Sequence, residues 1–151
     1  MVLAIVFLPL LAQPAPAPPV ALGRASPALT RLFTPQTVPP GTYQVFVSEA
    51  PLEDLVKALA AADRSRSPGE WDVQRPEGAG AFGILGTATR SRLARLFRGA
   101  RVDLARGSIR EGSRAVAYTL ISPYPDASLS AVRKGTLIVR LLVPEVPSRR
   151  R

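Results

Sequence analysis

The stretch AVAYTLISPYPDASLSAVRKGTLIVRLLV, residues 115 to 143, decides the fold. From Val116 to Leu120 large side chains alternate with smaller ones, which predicts a strand with one buried face. The last part, Thr136 to Val143, is apolar at almost every position, and such a run predicts a strand buried on both faces. Its one charged residue is Arg140. The stretch therefore predicts two core strands, the second of them central in a sheet.

The loop between these strands, Ser122 to Asp126, holds the first candidate site residues. Its two prolines fix φ and remove two backbone N–H donors, so the strand must stop there. We expect Asp126 to cap a short helical turn over Ala127 to Val132. Tyr124 and Asp126 are candidate functional residues, since a phenol and a carboxylate lie close together on a rigid loop. A turn and its cap explain both residues more simply.

Hydrophobic spacing and turn residues predict further elements upstream. They are strands over Thr42–Ser48 and Trp71–Gln74, a helix over Pro51–Asp63, a helix over Arg90–Arg98 capped by Thr89, and a hairpin of strands Arg101–Arg110 and Ser113–Ser122 joined at Glu111-Gly112. This order of elements predicts an α+β fold with a mainly antiparallel sheet of about five strands and two helices on one face. A ferredoxin-like variant is the nearest architecture.

Composition divides the chain into four segments. Residues 1–12, MVLAIVFLPLLA, form an apolar run that predicts a signal peptide and is too short for a transmembrane span. No Lys or Arg precedes this run, so a buried N-terminal segment remains the alternative. Residues 13–41 are rich in proline and predict a linker, with room for a helical turn over 28–33. We expect a single α+β domain over 42–143 and a basic tail over 144–151.

The amino acids that are absent exclude several kinds of chemistry. The chain has 151 residues and contains no cysteine and no histidine. Thiolate nucleophiles, histidine general bases and the usual ligand sets for zinc and haem are therefore missing, and no disulfide can form. We accordingly expect no cofactor and no metal ion.

The segment GAGAFG, residues 78 to 83, has the glycine spacing of a dinucleotide-binding fingerprint. Such a site needs a buried strand that leads directly into a helix. Here the preceding strand is short and polar, and helical periodicity resumes only near Thr89. A glycine loop, or a bulged strand over Ala81–Leu85, is the better prediction.

Arginine dominates the charge pattern. The chain contains 18 arginines, 2 lysines and 11 acidic residues, and its net charge is +9. Residues 90–114 alone hold eight arginines, against only Asp103 and Glu111. A solvated protein face accounts for this pattern without any ligand. If the face instead binds a ligand, the candidate residues are Arg90, Arg92, Arg95, Arg98 and Arg101.

These observations favour an exported bacterial accessory domain without catalytic activity, located in the periplasm, at the envelope or outside the cell. Its arginine-rich surface would contact an anionic envelope polymer, a lipid surface or a protein partner. Nucleic acid is disfavoured as a partner, because no aromatic side chains alternate with the arginines to stack on bases, and because export separates the protein from most nucleic acid.

Two alternatives remain open from the sequence. The first is a small secreted hydrolase that uses carboxylate or tyrosine chemistry, with Tyr124 and four carboxylates as candidates, Glu70, Asp72, Asp103 and Asp126. The second applies if the N-terminal run is not a signal peptide, in which case the charge favours a cytoplasmic, basic nucleic-acid-binding protein.

Overall fold

The computed structural model describes residues 17–39, 41–76, 78–83 and 85–142, except for the side chains of residues 78 and 79. The predicted signal peptide, residues 1–12, and the predicted basic tail, residues 144–151, lie outside this part of the chain. Its elements in order are β1 Gly23–Arg24, α1 Pro27–Phe33, β2 Tyr43–Ser48, α2 Leu52–Ala62, β3 Asp72–Gln74, a 3₁₀ helix Gly78–Phe82, α3 Thr87–Leu96, β4 Asp103–Glu111, β5 Arg114–Ser122, β6 Tyr124–Pro125, β7 Val132–Arg133 and β8 Thr136–Leu142.

Six of the strands form one antiparallel sheet in the order β1-β2-β8-β5-β4-β3, and β6 pairs with β7 in a small separate ribbon. Strand β8 lies between β2 and β5, so that Val139 is opposite both Val45 and Thr119. Residues of β8 are buried on both faces of the sheet, as its apolar sequence predicted. The predicted α+β class with a mainly antiparallel sheet is confirmed.

The helices cover both faces of the sheet and not one. Helix α2 packs its buried leucines against the face that carries Ile138 and Leu142 of β8. Helices α1 and α3 and the 3₁₀ helix pack on the opposite face, around Leu137 and Val139. The predicted placement of two helices on one face, and the ferredoxin-like variant that depended on it, are therefore wrong. Helical periodicity shows which side of a helix is buried but not which face of the sheet it covers.

Part of the predicted linker, residues 13–41, belongs to the fold. Ser26 caps α1 by accepting a hydrogen bond from the Leu29 N–H at 3.2 Å, and Pro27 occupies the first turn, where its missing N–H costs nothing. Leu29 and Phe33 are buried in the core below α1. Val20 and Leu22 pack against the core on the other face. The many prolines predicted a spacer, but burial of these apolar side chains places the segment in the domain.

Two other local predictions also differ from the structure. Helix α3 begins after Gly86 and ends before Phe97, so Thr89 lies inside the helix and does not cap it, while Arg98 lies beyond its end. The glycine segment forms a 3₁₀ helix instead of a bulged strand. Burial explains this, because the 3₁₀ helix places Phe82 in the core beside Phe97, with their ring centroids 5.2 Å apart.

Candidate functional site

A buried arginine lies at the centre of the sheet. Arg140 of β8 is 0% exposed and is directly opposite Gln44 of β2 and Tyr118 of β5. Its Nε donates to the Tyr118 hydroxyl at 3.1 Å, and its Nη1 donates to Oε1 of Gln44 at 2.6 Å. Its Nη2 forms an ion pair with Glu111, which lies at the end of β4. The charge is therefore surrounded by hydrogen-bond acceptors.

Glu111 also accepts a hydrogen bond from the Tyr118 hydroxyl. Burial, and then this hydrogen bond, raise the pKa of Tyr118 above its ordinary value of 10.0. Within the described ranges no buried side-chain N or O atom lacks a hydrogen-bond partner. The network is thus internally satisfied, and its geometry supports a structural role that fixes the register of β2, β8 and β5.

Gln44, Arg140 and Tyr118 form a polar row across three neighbouring strands, and the tryptophan of the chain, Trp71, lies at the Tyr118 end of this row. Gly107 of β4 is opposite Tyr118, and the Trp71 ring packs directly on this glycine. A Cβ at Gly107 would lie 2.4 Å from the Trp71 ring, so no larger residue fits without movement. The ring centroids of Trp71 and Tyr118 are 6.4 Å apart. Glycine at position 107 therefore allows an aromatic lid over the buried polar row.

The loop with the two sequence candidates has a fixed conformation. Asp126 accepts hydrogen bonds from the N–H groups of Ser130 at 2.9 Å and Ala131 at 3.2 Å, and from the hydroxyls of Ser128 and Ser130. The Ser130 N–H is the largest of the causes that lower the pKa of Asp126 below its ordinary 3.8. No helix forms over 127–132, where a single turn closed by the Leu129 N–H and the Asp126 carbonyl oxygen lies between the paired strands β6 and β7. The side chain of Asp126 binds the backbone that follows this turn, as the predicted cap would.

A surface groove lies beside Tyr124. Tyr124 of β6 is opposite Arg133 of β7, and both line the groove together with Lys134. Its other lining residues are Gly23 of β1 and residues 47–50, at the end of β2 and in the turn that follows it. The volume is about 750 Å³. This size lies within the range of small-ligand sites. We call this feature the Tyr124 groove.

The five arginines proposed from the sequence are all exposed. Helix α3 carries three of them, and Arg98 and Arg101 follow its end. Arg92 donates from Nη2 to the carbonyl oxygen of Ser128 at 3.1 Å, although the two residues are 36 positions apart. The structure therefore brings Arg92 of α3 next to the loop that holds Tyr124 and Asp126. We call Arg90, Arg92, Arg95 and Arg98 the basic α3 surface.

Within the described residues, no ion pair compensates the positive charge of the basic α3 surface. Over the described residues, the ion pairs within 4.0 Å are Arg75 with Asp103, at 3.4 Å, and Arg140 with Glu111. None of the four arginines of the basic α3 surface takes part in either pair. Their positive charge is therefore available to an anionic ligand.

The carboxylates named for a hydrolase do not converge. Glu70 and Asp72 are exposed, Asp103 pairs with Arg75, and Asp126 is held within its own loop. The Tyr124 groove contains none of these four, and its carboxylate is Glu49, which the sequence did not indicate. In the ranges that the structure describes, no group of three or more His, Cys, Asp or Glu side chains could hold a metal ion.

Comparisons of this chain with protein-family models, with curated proteins and with solved structures find no match. In the part of the chain that the structure describes, no helix has both the length and the apolar character needed to cross a membrane. Function is therefore inferred from the chemistry of the two exposed features, the basic α3 surface and the Tyr124 groove.

Proposed function

We propose that the protein is an exported binding domain without catalytic activity, which holds an anionic polymer of the cell envelope on the basic α3 surface. The observation that carries this proposal is the set of four exposed arginines, none of which has an acidic partner among the described residues. Arginine suits the task because its planar guanidinium forms paired hydrogen bonds with carboxylate or phosphate groups. Such groups recur along an acidic polymer, so one polymer chain can offer several of them to these arginines.

The expected strength of binding is modest. A basic residue near an anionic surface contributes about 1 kcal/mol, so four arginines supply about 4 kcal/mol. Binding of one polymer segment by all four arginines, at about 4 kcal/mol, corresponds to a dissociation constant of about 1 mM. A polymer offers many neighbouring anionic units, and repeated contacts raise its retention far above that of one unit. The proposal therefore favours reversible attachment to a repetitive ligand.

The core favours a polymer over a lipid bilayer as this ligand. Leu93 of α3 and Phe97 just after it are both 0% exposed. Their side chains are committed to the core below the helix, where they pack with Phe82. A helix that inserts into a membrane interface needs a free apolar face, which α3 does not offer. Contact through the arginines alone is the mode that this helix supports.

Retention on immobilised polygalacturonate tests the proposal. The variant Arg95→Ala with Arg98→Ala removes two charges and spares Arg92, which also holds the loop through Ser128. We expect an affinity about thirtyfold weaker at low salt, and a smaller difference at high salt, where exposed charges are screened.

The matched control is Arg64→Ala with Arg66→Ala, which removes two exposed arginines after α2. We expect it to retain most of the binding, because its arginines lie outside the basic α3 surface. Equal losses in the two double variants would show that only net charge matters and would overturn the proposed surface.

Export is tested separately. Residues 1–25 are fused to a reporter enzyme that is active only after export, and residues 13–25 alone serve as the control. We expect activity only with the longer segment, because it contains the apolar run of the signal peptide. An inactive fusion would refute the proposed location without affecting the binding experiment.

A further inference from the structure

The Tyr124 groove combines three kinds of side chain, whereas the basic α3 surface, as defined above, consists of cations alone. Arg133 and Lys134 are exposed on one wall, and within the described residues neither takes part in an ion pair. Glu49 supplies a carboxylate, and Tyr124 contributes a half-buried aromatic ring. The groove therefore offers cations, a hydrogen-bond acceptor and a flat apolar surface within one concavity.

The walls of the groove are held in place from both sides. Gly135 has φ of +108° and packs so closely on the end of β2 that a Cβ there would lie 2.4 Å from the Ser48 carbonyl oxygen. The Gly135 carbonyl accepts a hydrogen bond from the Ser122 hydroxyl at 2.7 Å. The Thr136 hydroxyl donates to the Ala50 carbonyl at 2.9 Å. The backbone directly after Lys134 is thus held in place, so this part of the groove needs little backbone ordering when a ligand binds.

We propose that the Tyr124 groove binds an acidic sugar unit that carries a carboxylate. The guanidinium of Arg133 and the ammonium of Lys134 suit the acid group. The Glu49 carboxylate accepts hydrogen bonds from sugar hydroxyls. The ring of Tyr124 covers the apolar C–H face of the sugar, and its hydroxyl remains available as a polar contact. The groove volume of about 750 Å³ accommodates one or two such units.

The inference deepens the proposed function and rests on it in one respect, namely that the polymer on the basic α3 surface is the source of the sugar. The hydrogen bond from Arg92 to Ser128 places α3 beside the loop between β6 and β7. Tyr124 and Arg133 lie on the two strands that this loop joins. A polymer bound along the arginines of α3 therefore passes close to the groove. The groove would bind one sugar unit of the polymer, while the arginines of α3 contact the acid groups of neighbouring units.

Binding of short saccharides tests the groove apart from the polymer surface. The probes are trigalacturonate, a neutral galactose trimer and glucose 1-phosphate, each titrated calorimetrically into the full chain. We expect trigalacturonate to bind and the neutral trimer not to bind. Tighter binding of glucose 1-phosphate than of trigalacturonate would overturn the assignment to a carboxylate.

The chain offers a close control for the cationic wall, since Lys57 and Lys134 are its two lysines and both are exposed. We expect Lys134→Ala to weaken trigalacturonate binding about fivefold, the upper range for an exposed ion pair, and Lys57→Ala to leave it unchanged. Tyr124→Phe should retain the affinity that Tyr124→Ala loses, because the phenyl ring still covers the sugar. Equal affinities for the Lys134→Ala and Lys57→Ala variants would overturn the proposal.

The two proposals fail in different ways. Arg95→Ala with Arg98→Ala should weaken retention on the polymer and leave trigalacturonate binding intact. If this double variant abolishes trigalacturonate binding while Lys134→Ala does not, the groove is not the sugar site, and the basic α3 surface alone remains. If retention on the polymer is unchanged while the groove variants lose trigalacturonate, the groove stands and the polymer proposal falls.

Discussion

Arg140 in β8 and Arg95 in α3 are the same residue type in opposite surroundings. Arg140 is 0% exposed, and its ion pair and hydrogen bonds all stay within the protein. Arg95 is exposed and forms no ion pair with any described residue. The buried guanidinium can contribute only to stability and register, whereas the exposed one is free for a ligand. The arginines of this chain therefore occupy two unrelated kinds of environment.

The two positions also differ in how much free energy is lost when a neighbouring residue is changed. A buried charge that loses its partner keeps the full cost of its removal from water, which is large in the interior of a sheet. An exposed charge loses little when a neighbour changes, because water solvates it in either case. Substitutions around Arg140 should therefore change folding, and substitutions around Arg95 should change binding.

The largest expected effect is on the buried ion pair. Glu111→Ala leaves Arg140 charged and without its carboxylate, and we expect a loss of about 3–5 kcal/mol in the free energy of unfolding, measured by urea denaturation followed by circular dichroism.

The control for this prediction is the double variant Arg140→Met with Glu111→Leu, which removes the charge together with its partner. We expect it to be more stable than Glu111→Ala, because no unpaired charge remains in the core. A loss of less than about 1 kcal/mol in Glu111→Ala, as for an exposed pair, would contradict the picture of a dry, buried arginine.

A smaller effect is expected at alkaline pH from Tyr118. Its pKa in the folded protein is raised above the ordinary 10.0, first by burial and then by the hydrogen bond to Glu111. Its contribution to stability is therefore complete below pH 10 and is lost as the pH rises towards the folded pKa, because the unfolded chain then releases a proton that the folded chain retains.

The slope from this one group is at most about 1.4 kcal/mol per pH unit. We expect Tyr118→Phe to show a shallower loss of stability above pH 10 than the unchanged protein, in urea denaturation at a series of pH values. Tyr43→Phe, which removes a phenol outside the network, is the control. If stability falls with pH equally steeply in the unchanged protein and in Tyr118→Phe, the pKa of Tyr118 is not raised in the folded protein.

The smallest effect on folding is expected on the basic α3 surface. Arg95→Ala with Arg98→Ala should change the free energy of unfolding by no more than about 0.5 kcal/mol, since both side chains are exposed and form no ion pair with a described residue. Alanine favours the helix at position 95, and removing this charge relieves its repulsion with Arg92, three residues earlier. A thermal unfolding scan checks this. A loss as large as that of Glu111→Ala would remove the contrast between the two arginines.

Much of the sheet could be predicted from the local sequence, but the side-chain contacts between distant residues could not. The apolar run of β8 predicted a central strand, and Glu111-Gly112 predicted the hairpin between β4 and β5, as found. Arg140 stood out as the one charge in that run. Its ion pair with Glu111 could not be predicted, because the two residues are 29 positions apart and meet only in one register of three strands.

The candidate site was predictable only in its separate parts. The arginines of α3 and the residues Tyr124 and Asp126 were found from charge density and loop chemistry. Their proximity depends on the contact of Arg92 with Ser128, which no spacing in the sequence indicates. The groove is also lined by Gly23 of β1 and by the end of β2, about 100 and 75 residues before Tyr124, and Gly23 belongs to the segment that was predicted to be a linker. Chain topology, not local pattern, assembles the groove.

Trp71 gives the protein an intrinsic optical reporter. It is the single tryptophan of the chain, and its ring lies on Gly107 with the Tyr118 ring 6.4 Å away. Because indole emission shifts with the polarity of its surroundings, opening of the row that contains Arg140 should move the fluorescence maximum to longer wavelength. No label is needed to follow that opening, and Tyr118 is close enough to pass excitation energy to Trp71.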